Sequence, residues 1–399
     1  MMKRKKLKQI SVYIEDAPVH QDVMSHGMHR AGPPILRSIV DHIDGIAIYQ
    51  IAHRYERSEF DRDLEHLCIE LPRLPTLLCK ALRRFPAFDF GISDTLPSLV
   101  LACSMPKSAD NFLFTYVGAD PGIMTRAAKL AARTGKLNVF YIVDDFLAPL
   151  QIAGAKQDVL RREREKACKA LRGAKHIFTI TDELGAHLQQ SYGISTTTLR
   201  LAFEPDPRFT ISPQKQILYM GSINSLYAAC LRDLFRIVDQ VRQSRGVGLT
   251  VRLMTGSSDV MVAEQLGDLP PFVFSAPAKN AEDLAAEIAS SLFTFLPYSF
   301  DMQEKSMVST SFPSKTLEYL AYARSIVVYG PEYGVATKLF RETNMPSVVT
   351  SLEELEESIT SHLETSPDHS VIYRTYLTQA HSLAAARRTL CEDLSLESD

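Results

Sequence analysis

Short β-branched or aromatic runs alternate with amphipathic stretches along almost the whole of this 399-residue chain, and the alternation stops once before starting again. In the first half, QISVYIED, DGIAIYQIA, SLVLACS, NFLFTYVG, LNVFYIVDD, KHIFTIT and TTLRLAF read as strands. Their near-continuous apolar character suits strands buried on both faces. Helical spacing fills several gaps, most clearly from Gly122 to Arg133 and from Val159 to Leu171. A shorter helix begins after Thr181, where Thr181, Asp182 and Glu183 offer capping groups. This rhythm predicts a parallel sheet covered by helices.

The stretch FEPDPRFTISPQ, residues 203–214, carries three prolines and fits neither period, so a linker is expected there. The pattern resumes with QILYMGS, a helix from Leu226 to Gln243, GLTVRLMTG, FVFSAP, a helix from Glu282 to Ala289, SLFTFLPY and SIVVYG. Beyond it, Leu352 to Leu363 and Ile372 to Leu394 read as helices. The expected division is a basic tail at 1–8, an α/β domain at 9–202, the linker, a second α/β domain at 215–371 and a closing segment at 372–399. A hydrophobic content of 45% supplies core for two such domains.

Several function classes drop out on composition. A formal net charge of -3 gives no overall field for wrapping nucleic acid. The six cysteines form no CxxC pair and no metal-type spacing, as expected of a reducing cytoplasm. No apolar run approaches the roughly 20 residues of a membrane helix, and the N-terminus lacks a secretory apolar core. The opening MMKRKKLK is either a solvated tail or an electrostatic attachment to the anionic inner face of a membrane. GxGxxG and GxxxxGK[ST] are both absent, which disfavours a typical NAD-binding half and a P-loop nucleotidase.

The segment SFPSKTLEYLAYARSIVVYG, from Ser311 to Gly330, carries the most chemistry. Pro313 suits a first helical turn because its missing N–H has no partner to lose, and Ser314 can cap amides that also attract anions. Lys315 adds a positive charge. Glu318, one turn on from Ser314, is placed to accept hydrogen bonds from sugar hydroxyls beside a bound phosphate. The alternative is an ordinary amphipathic helix with Leu317, Leu320 and Ala321 inward and Lys315 and Glu318 solvated.

This segment resembles the donor-binding helix of the large retaining glycosyltransferase family called group 1 or family 4, whose fold is termed GT-B. ILYMGS, ending in Gly221 and Ser222, is similar to the strand and glycine turn that open the family's donor domain. FTFLPYSFD resembles the strand and loop before the donor helix, AKHIFTITDELGAHLQQSYGI the last strand and helix before the linker, and VDDF a strand end facing sugar or acceptor. The resemblance covers most of the chain and is firmest from 216 to 334. It implies an α/β GT-B architecture: two Rossmann-like parallel-sheet domains facing a cleft, with residues 372–394 returning as a helix to the first domain. It also implies metal-independent transfer from a nucleotide-diphosphate sugar, a co-substrate rather than a bound cofactor, to a glycan or lipid-linked acceptor.

Two departures stand out. The family pairs the glutamate at Glu318 with an earlier one, and the spacing puts Thr310 at that earlier position. The family's Arg and Lys after the glycine turn are also missing, with no basic residue until Arg232. Lys315 is therefore expected to compensate the leaving diphosphate, because developing charge needs cations or a metal. Tyr298 and Ser299 are expected to meet the donor through backbone amides, or simply to form a turn after Pro297. Asp145, following Asp144 at a strand end, is either an acceptor-orienting catalytic group or a helix cap. The loop holding His26, Gly27, His29, Arg30 and Gly32 either lies over phosphates or acceptor, with His26 as a catalytic candidate, or is a surface connection. His20, His26 and His29 lack the spacing of a zinc site. A non-catalytic GT-B subunit binding a partner or glycan is the main rival reading, and an epimerase of similar fold is a third.

Overall fold

The computed structural model describes residues 112–118, 121–204 and 214–394 in full and, before them, the backbone of three strands. The chain divides into two compact units. The first runs to Arg200 and takes in the last described segment, 384–394; the second spans Leu201–Leu383.

The first unit is built on a seven-stranded parallel sheet. Its strands are β1 (Ile10–Glu15), β2 (Ala47–Ala52), β3 (His66–Glu70), β4 (Phe112–Val117), β5 (Leu137–Ile142), β6 (His176–Thr179) and β7 (Thr197–Thr198), in the order β3-β2-β1-β4-β5-β6-β7. The alternation read from the sequence thus gives the parallel sheet it predicted. HLCIE at β3 carries too few β-branched residues to stand out from its surroundings, and SLVLACS lies outside the described residues. Central β5 is buried from Asn138 onward. Its Tyr141 ring and that of Phe178 each lie 6.1 Å from Phe114, forming an aromatic spine.

The second unit repeats the order on six parallel strands: β8 (Gln216–Met220), β9 (Thr250–Met254), β10 (Val273–Ser275), β11 (Phe293–Pro297), β12 (Ile326–Tyr329) and β13 (Val348–Val349), arranged β10-β9-β8-β11-β12-β13. β11 and β12 are buried along their full length, as strands covered on both faces must be. Helix Ser225–Arg245 buries Leu231, Leu234, Val238 and Val241 on one stripe, and its ends are punctuated by Asn224 accepting from Leu226 N–H and by Gly246 at φ 65°. Such an order reverses direction between β8 and β11, and in open α/β sheets ligands bind beyond the carboxyl ends of the strands at such a point.

The C-terminal segment corrects the sequence reading in one respect. The single helix expected over 372–394 is two, Ser370–Ala380 and Leu383–Leu394. Between them His381 holds the chain elsewhere: its Nδ1 bonds the Leu201 carbonyl at 2.6 Å, and its own carbonyl accepts from Phe203 N–H at 2.9 Å. These bonds compete with helical continuation. The last helix then belongs to the first unit, burying Ala386, Leu390, Cys391 and Leu394, with Asp393 placed 3.4 Å from His176. No helix among the described residues is long and apolar enough to cross a membrane.

Candidate functional site

Both motifs expected to meet the donor lie where the second sheet reverses. Gly221 and Ser222 leave β8, while Tyr298 and Ser299 leave β11, and these strands are neighbours. Gly221 has φ +129°, which side-chain-bearing residues rarely adopt. A Cβ there would also stand 3.3 Å from the Lys315 ammonium nitrogen. Glycine is thus needed twice over, for the turn and for the approach of Lys315. The Tyr219 hydroxyl fixes the turn by donating to the Ser222 carbonyl at 2.6 Å.

Lys315 is 8% exposed, not solvated as an ordinary amphipathic helix would have it. Its ammonium lies 4.2 Å from the Tyr219 ring centroid and 4.0 Å from that of Tyr227. Among the described residues no carboxylate pairs with it. Burial pushes its pKa down to about 7, while the two π faces work against that by favouring the cation. The sequence reading missed both tyrosines, because Tyr219 reads as core and Tyr227 as helix surface. Tyr319 locks the arrangement, its hydroxyl accepting from Met220 N–H at 2.7 Å and so tying the Lys315 helix to the end of β8.

The helix itself runs Lys315–Tyr322, two residues later than Pro313 suggested. Ser314 sits in the N-cap position with helical dihedrals (φ -53°, ψ -33°), and its side chain caps nothing, contrary to expectation. Pro313 and Ser314 instead form a tight turn whose carbonyls accept from Thr316 and Leu317. Among the described residues the Ser314 and Lys315 amides have no acceptor, so they remain anion-binding donors. Beside them the Ser311 hydroxyl is buried without a partner. Glu318 is buried within the same helix, 6% exposed. Thr310, at the position of the family's earlier glutamate, donates its hydroxyl to the Ser306 carbonyl at 2.7 Å.

The β11 loop departs from expectation. Tyr298 N–H donates to the Tyr329 carbonyl at 2.8 Å, so the sheet consumes the amide assigned to a ligand. Its hydroxyl donates to the Ser311 carbonyl at 3.1 Å, bracing the turn before Pro313. Ser299 Oγ accepts from Asp301 N–H, making a turn. One acidic residue went unread in the sequence. Glu304 is buried and accepts from the Ser225 hydroxyl at 2.6 Å at the start of helix Ser225–Arg245, so a carboxylate occupies the region where the family carries basic residues.

In the first unit, Asp145 is a cap and a brace. Its Oδ1 accepts from Leu147 N–H at 3.1 Å and from the Tyr192 hydroxyl at 3.4 Å, and its Oδ2 lies 3.2 Å from His187 Nε2. A free acceptor-orienting carboxylate is therefore not what the geometry presents. His26, Gly27, His29, Arg30 and Gly32 lie outside the described residues. Among the described residues no three His, Cys, Asp or Glu side chains cluster as a metal site would require.

No protein-family model and no curated protein sequence matches this chain. Solved structures do. An α,α-trehalose-phosphate synthase from Burkholderia xenovorans matches with a TM-score of 0.65 at 11% identity, over 97% of this chain and 100% of that one. The fold is GT-B. Two further GT-B structures are similar. Anabaena HepE, solved with UDP, matches at TM-score 0.59 and 10% identity over 98% of this chain and all of its own. TarM matches at 0.56 and 10% identity over 76% of this chain, which spans only 58% of TarM. At these identities the likeness concerns the GT-B architecture; the chemistry rests on the residues above.

Proposed function

We propose that the chain is a glycosyltransferase that takes a sugar from a nucleotide-diphosphate sugar and passes it to a glycan or lipid-linked acceptor. The observation that carries this is Lys315: a buried ammonium without a carboxylate partner, beside a glycine turn and two open helix-start amides at the sheet's reversal point. A buried cation left uncompensated is costly, and an anion at the amides and ammonium offsets that cost. Because the ammonium sits near its titration midpoint at neutral pH, a diphosphate would hold it protonated as leaving-group charge develops. Glu318 in this reading accepts from ribose hydroxyls, and a UDP-bound neighbour of the same fold supports a nucleotide donor. Retention and metal independence follow the family resemblance.

A second reading has its own support. Thr310 replaces the earlier acidic position and Glu304 occupies the start of helix Ser225–Arg245, as would suit a GT-B subunit that binds a partner or glycan without catalysis. Nucleoside diphosphate release from a panel of nucleotide sugars, with and without glycan and lipid-linked acceptors, separates the two. Acceptor-stimulated release with a new glycosidic product is expected. Nucleotide binding with no release under any condition favours the non-catalytic subunit.

A further inference from the structure

The first unit contains a cavity of about 720 Å³ between helices Gly122–Thr134 and Gln157–Arg172, at the amino end of β5. Asp144 and Asp145 follow the opposite end of that strand. Alanines and Leu137 supply an apolar lining, and Lys129, Lys136, Lys166, Lys169 and Lys175 surround it, with no acidic side chain among the described lining residues. We infer that this cavity is a second anion site, taking a small phosphate or diphosphate ester with a compact apolar body.

The lysines have an ordinary explanation, in which they offset the negative ends of two helices. Three observations go beyond it. Three of the helix-end carbonyls are already satisfied by backbone donors: Ala131 accepts from Gly135 and Lys136, and Ala170 and Leu171 from Gly173 and Ala174. Lys136 is 5% exposed, too buried for a solvated charge, and its Nζ has no hydrogen-bond partner among the described residues. Asn138 Oδ1, Asn138 Nδ2 and Thr125 Oγ1, all from lining residues, are likewise buried and unpartnered. Native folds leave few such atoms, and four around one cavity mark a ligand's complement. Water can satisfy an amide, but an ammonium ringed by like charges calls for an anion. Lys166 is held 3.1 Å from Glu163, and no described carboxylate pairs with the Lys136 ammonium. Burial alone lowers the Lys136 pKa, as expected of a cation whose counter-charge arrives from outside. The volume suits a ligand the size of a sugar phosphate or nucleotide.

The test uses the full chain carrying Lys315→Met, which weakens phosphate binding at the second unit; if that unit binds none, the background changes nothing. Inorganic pyrophosphate and glycerol 3-phosphate are titrated by calorimetry, and phosphatidylcholine vesicles with and without phosphatidic acid are sedimented. Lys136→Met is expected to weaken binding by about 10- to 100-fold. It should raise Tm at the same time, because an unpaired buried charge is removed. Lys169→Glu, a change at the rim, should weaken binding without reaching the buried groups, and keeps the test open if Lys136→Met fails to fold. Soluble binding identifies a free organophosphate, and Lys136-dependent vesicle binding alone identifies a lipid headgroup. Binding that is absent from both arms, or indifferent to both substitutions, overturns the site.

Discussion

At the scale of single residues, Lys315 decides the account. Lys315→Met should weaken nucleoside diphosphate binding by about 10- to 100-fold while Tm holds or rises, since a buried charge gives way to an apolar side chain of similar reach. Parallel loss of affinity and Tm would make Lys315 structural. Its pKa of about 7 lies below the roughly 10.4 of an unfolded lysine, so the unfolded chain binds more protons between these values. This group's contribution to stability therefore rises with pH across that window. Diphosphate binding acts oppositely: it favours the ammonium, so affinity should fall as pH climbs through 7, with proton uptake seen as buffer-dependent heats. Glu318→Ala should cost about 10- to 100-fold in nucleotide affinity but not in pyrophosphate affinity if it meets ribose. His362 has the same sign as Lys315, in a more acid window. Burial lowers its pKa, and its ring bridges the Ser325 hydroxyl at 2.8 Å and the Ser358 carbonyl at 2.7 Å as a neutral imidazole. The unfolded chain then binds the extra proton below about pH 6.5, so stability of the second unit should drop with acid there, and His362→Gln should flatten that drop.

At the scale of elements, the site depends on joints between strand ends and one helix. A Cβ on Gly330, at the end of β12, would meet Tyr298 Cβ at 2.7 Å. Gly330→Ala should cost about 1–3 kcal/mol in chemical denaturation and displace the Tyr298–Ser311 brace, lowering nucleotide affinity as well. Glu304→Gln keeps the bond to Ser225 but removes a negative charge from a helix start. Unit-charge effects there run at about 0.3–1 kcal/mol, so UDP should bind severalfold tighter, at a small cost in stability. Unchanged affinity would place Glu304 away from the phosphates. These joints also show what the residues disclosed in advance. The turn at Gly221 and the helix start at Lys315 were legible because a glycine after a strand and a proline and serine ahead of an apolar helical period keep their meaning without coordinates. The Tyr219–Tyr227 pair and Glu304 were not, since their roles come from residues distant in the chain meeting at a strand end. Ser314 misled because a serine before a helix caps only with extended dihedrals, and here the tight Pro313 turn gives it helical ones.

At the scale of the molecule, the doubled alternation of strand and helix was sufficient to expect two parallel sheets, and both adopt the same strand order around a reversal point. What it did not show was His381, whose bonds to Leu201 and Phe203 break one expected helix into two and send the last one to the first unit. Ending the chain after His381 would remove the buried Leu390 and Leu394 from that unit. At about 1.5–3 kcal/mol per buried leucine, its unfolding midpoint should fall measurably in calorimetry. The most direct trial of the whole account is a calorimetric titration of UDP, GDP and ADP into the wild-type chain and Lys315→Met at pH 6 and pH 8. Selective binding of one nucleotide is expected, tighter at pH 6 and about 10- to 100-fold weaker in the variant. Binding that ignores both the substitution and the pH, or no binding of any nucleotide, would contradict it.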